Sequence, residues 1–336
     1  MPRNKKATIK DIAELVGVSP SAVAKALNNH PRISVKTKTA VLEAAKKLNY
    51  QKNHLSSALR KGKSNLVGVV VPRINVNFFS SVVENIEKVL NENGYNIVIS
   101  QSNESFEKES ECIESLLNIQ VDGIIASIAN NTTSLEHYEK IKSNGTKLVL
   151  FDRGKSGLNV DYVSIDDKAS SYEVVEHLIS KNRKRIAHIS GLGHTKIYND
   201  RTQGYKEALK KHQLPIDNEI IHECNLTVED GRRITQQLLK LTNRPDAIFA
   251  SGDHAALGVL QVLKEHSIKI PEEIALVGFS NEPFTELTSP SISTVDQQSK
   301  KMGEMTAQTF LDRMDNADAP VKHQKIKAEL IIRDSS

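Results

Sequence analysis

The chain has 336 residues, of which 38% are hydrophobic and 26% charged, and it has no tryptophan. This composition is that of an ordinary globular protein and excludes a disordered or fibrous chain, while the length allows a small domain attached to a larger, two-lobed one. Residues 1–61 hold 13 Lys or Arg against 3 Asp or Glu, whereas the rest of the chain holds 32 against 38. The basic excess is confined to the amino-terminal segment, as expected of a module that contacts nucleic-acid phosphates.

The cysteines and the first residues bear on the cellular compartment. Cys112 and Cys224 are far apart and form no Cys-x-x-Cys pair, so we expect no disulfide framework, no metal site and no cofactor. The first six residues are basic but lead into no apolar signal-peptide region, and apolar runs such as Leu66–Val71 are too short to cross a membrane. We therefore expect a cytoplasmic, nucleoid-associated protein that has no membrane partner.

The first predicted element is a short helix that ends in a tight turn. Thr8 precedes Ile9, the first of several apolar residues at helical spacing, and Asp11 follows three residues after Thr8. A hydroxyl at the N-cap with an acidic residue three positions later is a variant of the capping box, which starts a helix near Ile9. Gly17 ends the helix, because glycine adopts positive φ without steric cost and so permits a sharp turn.

Two further helices are predicted after this turn. Ser19 is a favourable N-cap and Pro20 suits the first turn of a helix, which we expect to run through about Asn28. Ser34 begins a third helix, whose apolar residues recur at i, i+4 and i+7. Two short helices joined by a glycine turn are typical of a DNA-reading unit whose second helix enters the major groove, although a protein-binding helical hairpin has the same local geometry.

The sequence of these helices resembles a known family. T-I-K-D-I-A-E-L-V-G-V-S at residues 8–19 and A-V-A-K-A-L-N at residues 22–28 are similar to the head of the lactose/galactose repressor (LacI/GalR) family, and the likeness covers the whole chain. The resemblance implies a homodimeric transcriptional repressor that binds a pseudo-palindromic double-stranded DNA operator. The residues that we expect to contact DNA are Thr8, Ser19, Pro20, Ser21, Ala22, Ala24, Lys25, Asn28, Ser34, Lys36, Tyr50, Asn53 and Leu59.

Within this set, the resemblance places Pro20, Ser21 and Lys25 where the family reads base edges. Ser21, Lys25 and Asn28 are spaced at i, i+4 and i+7, so they share one helix face. Lys25 can donate to guanine O6 and N7, and Ser21 can bond to several bases. The sequence departs from the usual pattern, which has Thr, Ser and Arg at the positions of Ala22, Ala24 and Lys25, so the individual base contacts stay open.

A hinge is predicted between the head, residues 1–52, and the larger domain, which begins at residue 66. Residues 53–65 resemble the family's hinge helix and linker, and Leu59 aligns with the leucine that the family inserts into the minor groove. An apolar wedge of this kind unstacks a base step, which the additional contacts of a bent duplex can offset. A plain basic linker is the alternative, and we hypothesise that the hinge folds only on DNA.

The larger domain alternates strand-like and helical segments. This alternation predicts an α/β fold of parallel sheets covered by helices, and the resemblance implies a periplasmic-binding-protein-like core of two doubly wound lobes. The predicted strands are Leu66–Val71, Tyr95–Ser100, Gly123–Ala126, Leu148–Phe151, Ile186–Ser190, Ala247–Ala250 and Ile274–Phe279, and the predicted helical stretches include Val82–Glu92 and Gln236–Leu241.

Polar residues follow most of these strands, where ligands bind in open parallel sheets. Carboxylate, guanidinium and amide groups beside a pair of phenylalanines suit a polyol or another polar ligand, because rings can stack on it while charged groups form bidentate bonds. The residues that we expect to bind this ligand are Asn77, Phe78, Phe79, Gln101, Ser127, Asp152, Arg153, Arg201, Asp253, Ser280 and Asn281.

The family resemblance adds a regulatory meaning to this site. It implies that a small-molecule effector, a sugar or a sugar derivative, binds between the two lobes and changes their closure and thereby the operator affinity. Asp152 and Arg201 match effector-contacting positions, whereas the family often has acidic residues at Ser280 and Asn281. The resemblance also implies lobe boundaries, with residues 66–165 and 296–322 in the first lobe and residues 166–295 and 323–336 in the second.

Three other functions compete with a ligand-responsive regulator. For an enzyme, the pair Gly191 and Gly193 would begin a dinucleotide-binding loop, but Lys196 stands where the third glycine belongs, and no phosphate loop or nucleophile elbow occurs. We therefore expect no enzymatic activity. A periplasmic binding protein fits the core but not the basic head. A regulator that answers to a partner protein stays open.

Overall fold

The computed structural model describes residues 7–50, 63–155 and 157–336. The chain divides between Ser64 and Asn65 into two compact units. The predictions for Asn53, Leu59 and most of the hinge fall on residues 51–62 and lie outside the described residues.

The amino-terminal unit contains the three predicted helices, α1 (Ile9–Val16), α2 (Pro20–Leu27) and α3 (Val35–Lys47). The Ser19 hydroxyl accepts a hydrogen bond from the Ala22 amide at 3.2 Å, and the Ser34 hydroxyl accepts one from the Thr37 amide at 3.2 Å. Each bond satisfies a backbone donor that has no partner within its helix, which fixes the starts of α2 and α3 where the sequence predicts them.

The start and the end of α1 show both predicted signals. Thr8 and Asp11 form the complete capping box, in which the Thr8 amide donates to the Asp11 carboxylate at 2.6 Å. Gly17 has a φ of 73°, in the left-handed region, and its amide donates to the Ala13 carbonyl at 2.9 Å. The capping box and the glycine turn are therefore confirmed, and they set the angle at which α2 leaves α1.

The larger unit consists of elements of an α/β fold. In chain order they are β1 (Leu66–Val71), α4 (Asn77–Glu92), β2 (Asn96–Gln101), α5 (Phe106–Asn118), β3 (Gly123–Ala126), α6 (Glu136–Ser143), β4 (Lys147–Phe151), β5 (Asp161–Ile165), α7 (Asp167–Ser180), β6 (Ile186–Ser190), α8 (Lys196–Lys211), a 3-10 turn (Asn218–Ile220), β7 (Ile221–Glu223), α9 (Val228–Leu238), β8 (Ala247–Ala250), α10 (Asp253–Glu265), β9 (Ala275–Val277), α11 (Phe284–Leu287), β10 (Thr294–Asp296), α12 (Ser299–Asp315), β11 (His323–Ile326) and β12 (Glu329–Ile331).

Two parallel sheets form the two lobes of this unit. The first sheet has the strand order β11-β5-β4-β3-β1-β2 and the second the order β7-β6-β8-β9, while β10 and β12 pair separately and antiparallel. In the first sheet Val67 lies opposite Ile97 on one side and Gly123 on the other, so β1 is an interior strand, and its residues after Leu66 are buried. The predicted α/β architecture of two doubly wound lobes is confirmed.

Several predicted boundaries need correction. The helical stretch Gln236–Leu241 is wrong after Leu238, where α9 ends, and the strand Ile274–Phe279 is reduced to β9. The placement of residues 323–336 in the second lobe is wrong for β11, because His323 pairs with Tyr162 in the sheet of the first lobe. β11 is an edge strand with a polar sequence, His-Gln-Lys-Ile, so it shows no apolar run that could reveal its sheet.

A close crossing of α7 and α8 yields the first testable prediction. A Cβ atom on Gly204 would lie 2.1 Å from the Lys168 carbonyl oxygen and 2.9 Å from the Tyr172 nitrogen. Because these are backbone atoms, the helices would have to separate, so we expect Gly204→Ala to destabilise the larger unit by about 1–3 kcal/mol despite the higher helix propensity of alanine. Chemical denaturation of the variant measures this loss.

The matched control is Gly252→Ala in the same unit. Gly252 has an extended φ of −168°, and an added Cβ would meet only the Leu226 side chain, at 3.4 Å. We expect this variant to unfold as the wild type does. Equal unfolding midpoints for Gly204→Ala and Gly252→Ala would contradict a steric limit at the crossing of α7 and α8.

Candidate functional site

The exposed face of α2 is the candidate nucleic-acid interface. Ser21, Lys25 and Asn28 are exposed, whereas Val23 and Ala26 on the opposite face are 0% and 3% exposed and join the core of the unit. The structure therefore places the three predicted polar side chains on one outward face. A hydroxyl, an ammonium group and an amide at this spacing can reach base edges in a major groove.

The other predicted DNA contacts that the structure describes lie in α2 itself, at or near the starts of the three helices and, for Tyr50, shortly after α3. Ala22, Ala24 and Tyr50 are half-buried, and Tyr50 packs against the core of the unit, so its ring is only partly accessible. The exposed residues of the set are Thr8, Ser19, Pro20, Ser34 and Lys36. Since three of these are N-caps, the amino ends of α1, α2 and α3 are also available to phosphates, which favour helix amino termini.

A cavity of about 510 Å³ lies between the two lobes of the larger unit, within the size range of small-molecule sites. The lining includes residues that follow β1, β4 and β8, together with side chains from α8, so both sheets contribute to it. Of the predicted ligand contacts, those that line the cavity are Phe78, Phe79, Asp152, Arg153, Arg201, Asp253 and Ser280.

The other four predicted contacts, Asn77, Gln101, Ser127 and Asn281, do not line this cavity. Asn77 is exposed in the first turn of α4, and the Gln101 side-chain oxygen Oε1 accepts from the Ile74 amide at 2.8 Å. Ser127 is fully buried behind the cavity wall. The contacts of Asn77, Gln101 and Ser127 with a ligand stay predictions, because these side chains lie outside the lining of this cavity.

Hydrogen bonds with two charged side chains hold Asn281 outside the lining of the cavity. Its amide oxygen accepts from Arg333 at 2.9 Å, and its amide nitrogen donates to Asp296 at 3.2 Å. Both polar atoms of the Asn281 side chain are thus engaged in fixing the loop after β9. Contact between Asn281 and the ligand stays a prediction, and it would require these hydrogen bonds to be exchanged.

Among the polar residues of the lining that sequence reasoning missed are Glu104, Tyr198, Glu282 and Gln297. Glu104 and Glu282 follow the polar strand ends directly after Asn103 and Asn281, so a longer window at each strand end would have found them. Tyr198 and Gln297 give no such signal, because they reach the cavity from α8 and from the segment between β10 and α12.

Arg153 forms one wall of the cavity. Its Nη1 donates to both carboxylate oxygens of Glu104, at 3.0 and 2.8 Å, and its side chain is only 8% exposed. The guanidinium carbon lies 5.5 Å from the centre of the Phe79 ring and 5.9 Å from that of Tyr198. The pairing and the two rings fix the orientation of this cation.

Arg201 forms the opposite wall, on α8. Nε and Nη2 each lie 2.8 Å from one carboxylate oxygen of Asp167, and Nη1 donates to the Ser251 carbonyl at 2.9 Å. The guanidinium carbon lies 3.6 Å above the Phe279 ring. Arg201 is thus held by α7, by the loop after β8 and by the end of β9.

Two aspartates of the lining have raised pKa values. Burial raises the pKa of Asp152, and burial raises the pKa of Asp253 to about 6. The Asp253 carboxylate accepts from the Glu282 amide at 2.8 Å and from the Thr294 hydroxyl at 2.7 Å, so it organises the loop that carries Ser280 and Glu282. Asp253 therefore lines the cavity and also holds a loop that forms part of its wall.

Among residues 7–50, 63–155 and 157–336, no group of three His, Cys, Asp or Glu side chains is placed to hold a metal ion. Within the same ranges, no helix has the length and apolar character needed to cross a membrane.

Comparison with known proteins assigns both units. Residues 8–53 match the family described as bacterial regulatory proteins, lacI family, and residues 175–336 match a periplasmic binding protein-like domain. The HTH-type transcriptional regulator DegA of Bacillus subtilis (strain 168) is 32% identical over 299 residues, which cover 89% of this chain and 88% of that protein.

Two solved structures have the same fold along nearly the whole chain. The complex of the transcriptional regulator CelR with cellobiose has a TM-score of 0.76 at 25% identity and covers 98% of this chain and 100% of its own. The lac repressor dimer bound to operator has a TM-score of 0.87 at 21% identity and covers 98% and 99% of the two chains.

A helix-turn-helix head on a two-lobed, periplasmic-binding-protein-like domain defines a class of DNA-binding transcription regulators. The chain belongs to the LacI family of bacterial regulatory proteins. It is accordingly a transcriptional regulator and not an enzyme, and the resemblance noted in its sequence is confirmed.

Proposed function

We propose that this regulator is a homodimeric repressor that binds a pseudo-palindromic operator and changes its operator affinity when a sugar or sugar derivative occupies the cavity between its lobes. It would act in the cytoplasm, at the nucleoid. The observation that carries the proposal is the cavity itself, in which carboxylates, guanidinium groups and several aromatic rings converge at a size suited to one small polar ligand.

The likeness to the CelR complex supports the sugar class, because that structure holds cellobiose and matches this chain over 98% of its length. Aromatic walls beside bidentate hydrogen-bonding groups suit the alternating apolar and hydroxylated surfaces of a sugar ring. We assign the ligand-contacting role to the seven predicted residues that line the cavity. We assign the DNA-contacting role to the exposed residues on and around α2, and also to Asn53 and Leu59, which lie outside the described residues.

The proposal is tested by selecting oligonucleotides from a random pool with the purified full chain, with and without a panel of sugars. We expect enrichment of one inverted repeat and a change in its affinity with one class of sugar. An enriched sequence whose affinity no sugar changes would refute the sugar-sensing part. Failure to enrich any sequence would refute the operator-binding part.

Lys25 provides a prediction about base recognition. Its ammonium group is on the exposed face of α2, so Lys25→Ala should relax the base preference at one position of each half-site, at a cost of about 1–3 kcal/mol for the preferred base. Quantitative selection with the variant measures the preference at every position.

The matched control for Lys25→Ala is Lys36→Ala, which removes an exposed ammonium group near the start of α3. If Lys36 contacts phosphate, its loss should weaken binding to all sequences alike and lower the salt dependence by about one counterion. A Lys25→Ala protein that selects the same consensus as the wild type at every position would show that Lys25 does not read a base.

A further inference from the structure

The cationic side chains buried in the cavity wall are already neutralised by the protein. Arg153 pairs with Glu104 and Arg201 pairs with Asp167, each with a closest N···O distance of 2.8 Å. A ligand that brought a phosphate or a carboxylate to either guanidinium would compete with a protein carboxylate for it. Breaking a buried ion pair leaves an uncompensated charge, which is strongly unfavourable.

Among the described residues of the lining, the other basic ones are Arg73 and His254. Arg73 is exposed, so water and salt screen its charge. His254 packs edge-on against Phe284, with the ring centres 5.3 Å apart. Neither residue places a buried, unpaired guanidinium or ammonium group against a ligand in the depth of the cavity.

The carboxylate of Asp152 is bound less firmly than the guanidinium groups. It is 5% exposed, and its contacts are 3.4 Å to the Gln297 amide nitrogen, 3.5 Å to the Ser127 hydroxyl and 3.7 Å to Arg153 Nε. Charge-assisted hydrogen bonds are normally shorter, about 2.7–2.9 Å for a nitrogen donor. Asp152 therefore offers acceptor capacity to a ligand.

Glu282 offers a second such carboxylate, from the other lobe. It is 5% exposed, and its Oε1 lies 3.4 Å from the Phe78 amide at the start of α4. Its backbone is fixed independently, since its amide donates to Asp253. The side chain thus presents a buried carboxylate between the lobes, and it forms no ion pair within the part of the chain that the structure describes.

From this asymmetry we propose that the cavity selects a polyhydroxylated ligand that has no acidic group, a neutral sugar or an amino sugar, and that Glu282 is a specificity-determining residue for that choice. The inference rests on the proposed sugar-sensing function and narrows its ligand class. Hydroxyl and ammonium groups donate hydrogen bonds to Asp152 and Glu282, whereas phosphate and carboxylate groups only accept them and are repelled.

The test measures binding of the full chain to matched sets of sugars by calorimetry. For each of glucose, galactose and mannose, the set contains the free sugar, the 2-amino-2-deoxy sugar, the 6-phosphate and the uronate. For the sugars that bind, we expect the neutral or amino form to bind at least about tenfold more tightly than the acidic forms of the same sugar.

The decisive variant is Glu282→Gln. Glutamine keeps an oxygen that can accept from the Phe78 amide, so the contact between the lobes is preserved while the charge is removed. We expect the disadvantage of the phosphate and the uronate to shrink about tenfold or more, with little change for the neutral sugar. Glu173→Gln, which removes an exposed carboxylate of α7 outside the lining, should leave these ratios unchanged.

The outcomes separate this inference from the proposed function. Tighter binding of a phosphate or a uronate than of its neutral parent overturns the ligand class but leaves sugar sensing intact. Unchanged ratios in Glu282→Gln overturn the role of Glu282. If no sugar of any charge binds at millimolar concentration, the proposed sugar-sensing function fails and the inference fails with it.

Discussion

Replacing Ile12 by alanine is expected to abolish operator binding and to leave ligand binding by the larger unit unchanged. Ile12 is 0% exposed and belongs to the small cluster of buried residues that holds α1, α2 and α3 together. Truncating a buried isoleucine to alanine costs about 2–5 kcal/mol. A domain as small as this head has a total stability of similar size, so the variant head should be largely unfolded.

Leu15→Ala is the matched control, because it makes the same kind of truncation in the same helix at a residue that is 49% exposed. We expect it to retain most of its stability. Fluorescence anisotropy with the selected operator measures DNA binding, and calorimetry measures ligand binding in the same preparations. An Ile12→Ala protein with wild-type operator affinity would contradict the assignment of DNA binding to this three-helix unit.

Arg201→Ala is expected to eliminate the response to the ligand and also to destabilise the larger unit. Arg201 is 3% exposed and bound to Asp167, so its removal leaves a buried carboxylate without its cation, at a cost of about 3–5 kcal/mol. The same change removes the guanidinium that lies over the Phe279 ring in the cavity wall. Denaturation and calorimetric titration measure the two effects separately.

The double variant Arg201→Ala with Asp167→Asn separates stability from ligand binding. Neutralising Asp167 should restore part of the lost stability while the ligand response stays absent, because the guanidinium is still missing. Arg232→Ala is a second control, since Arg232 and Glu265 form a solvent-accessible ion pair, and pairs of this kind contribute little to stability. A double variant that binds the ligand like the wild type would place Arg201 outside the site.

The head was predictable from sequence because its determinants are local. The helix caps form contacts within about one turn of the backbone, so propensity and capping rules apply to them directly. These caps are Thr8 with Asp11, Gly17 and Ser19. The apolar strands of the larger unit were predictable for a similar reason, because a strand buried on both faces is a short apolar run. The edge strand β11 has no such run, and its pairing with β5 depends on long-range contacts.

The candidate ligand site was predictable only as far as strand ends determine it. Asp152 and Asp253 line the cavity because they directly follow buried strands, as the geometry of parallel sheets requires. Asn281 also follows a buried strand, but its side chain is hydrogen-bonded to Arg333, which is far from it in the sequence. Likewise, the partner of Arg201 could not be inferred, since Asp167 belongs to a different helix.

The central claim is that the polar face of α2 recognises a specific duplex. The most direct measurement is the affinity of the purified full chain for the selected inverted repeat relative to a scrambled duplex of equal length, at physiological salt. We expect a preference of at least about a thousandfold, which substitution of Lys25 reduces and substitution of the exposed Leu15 does not. Equal affinity for the selected and the scrambled duplex would contradict it.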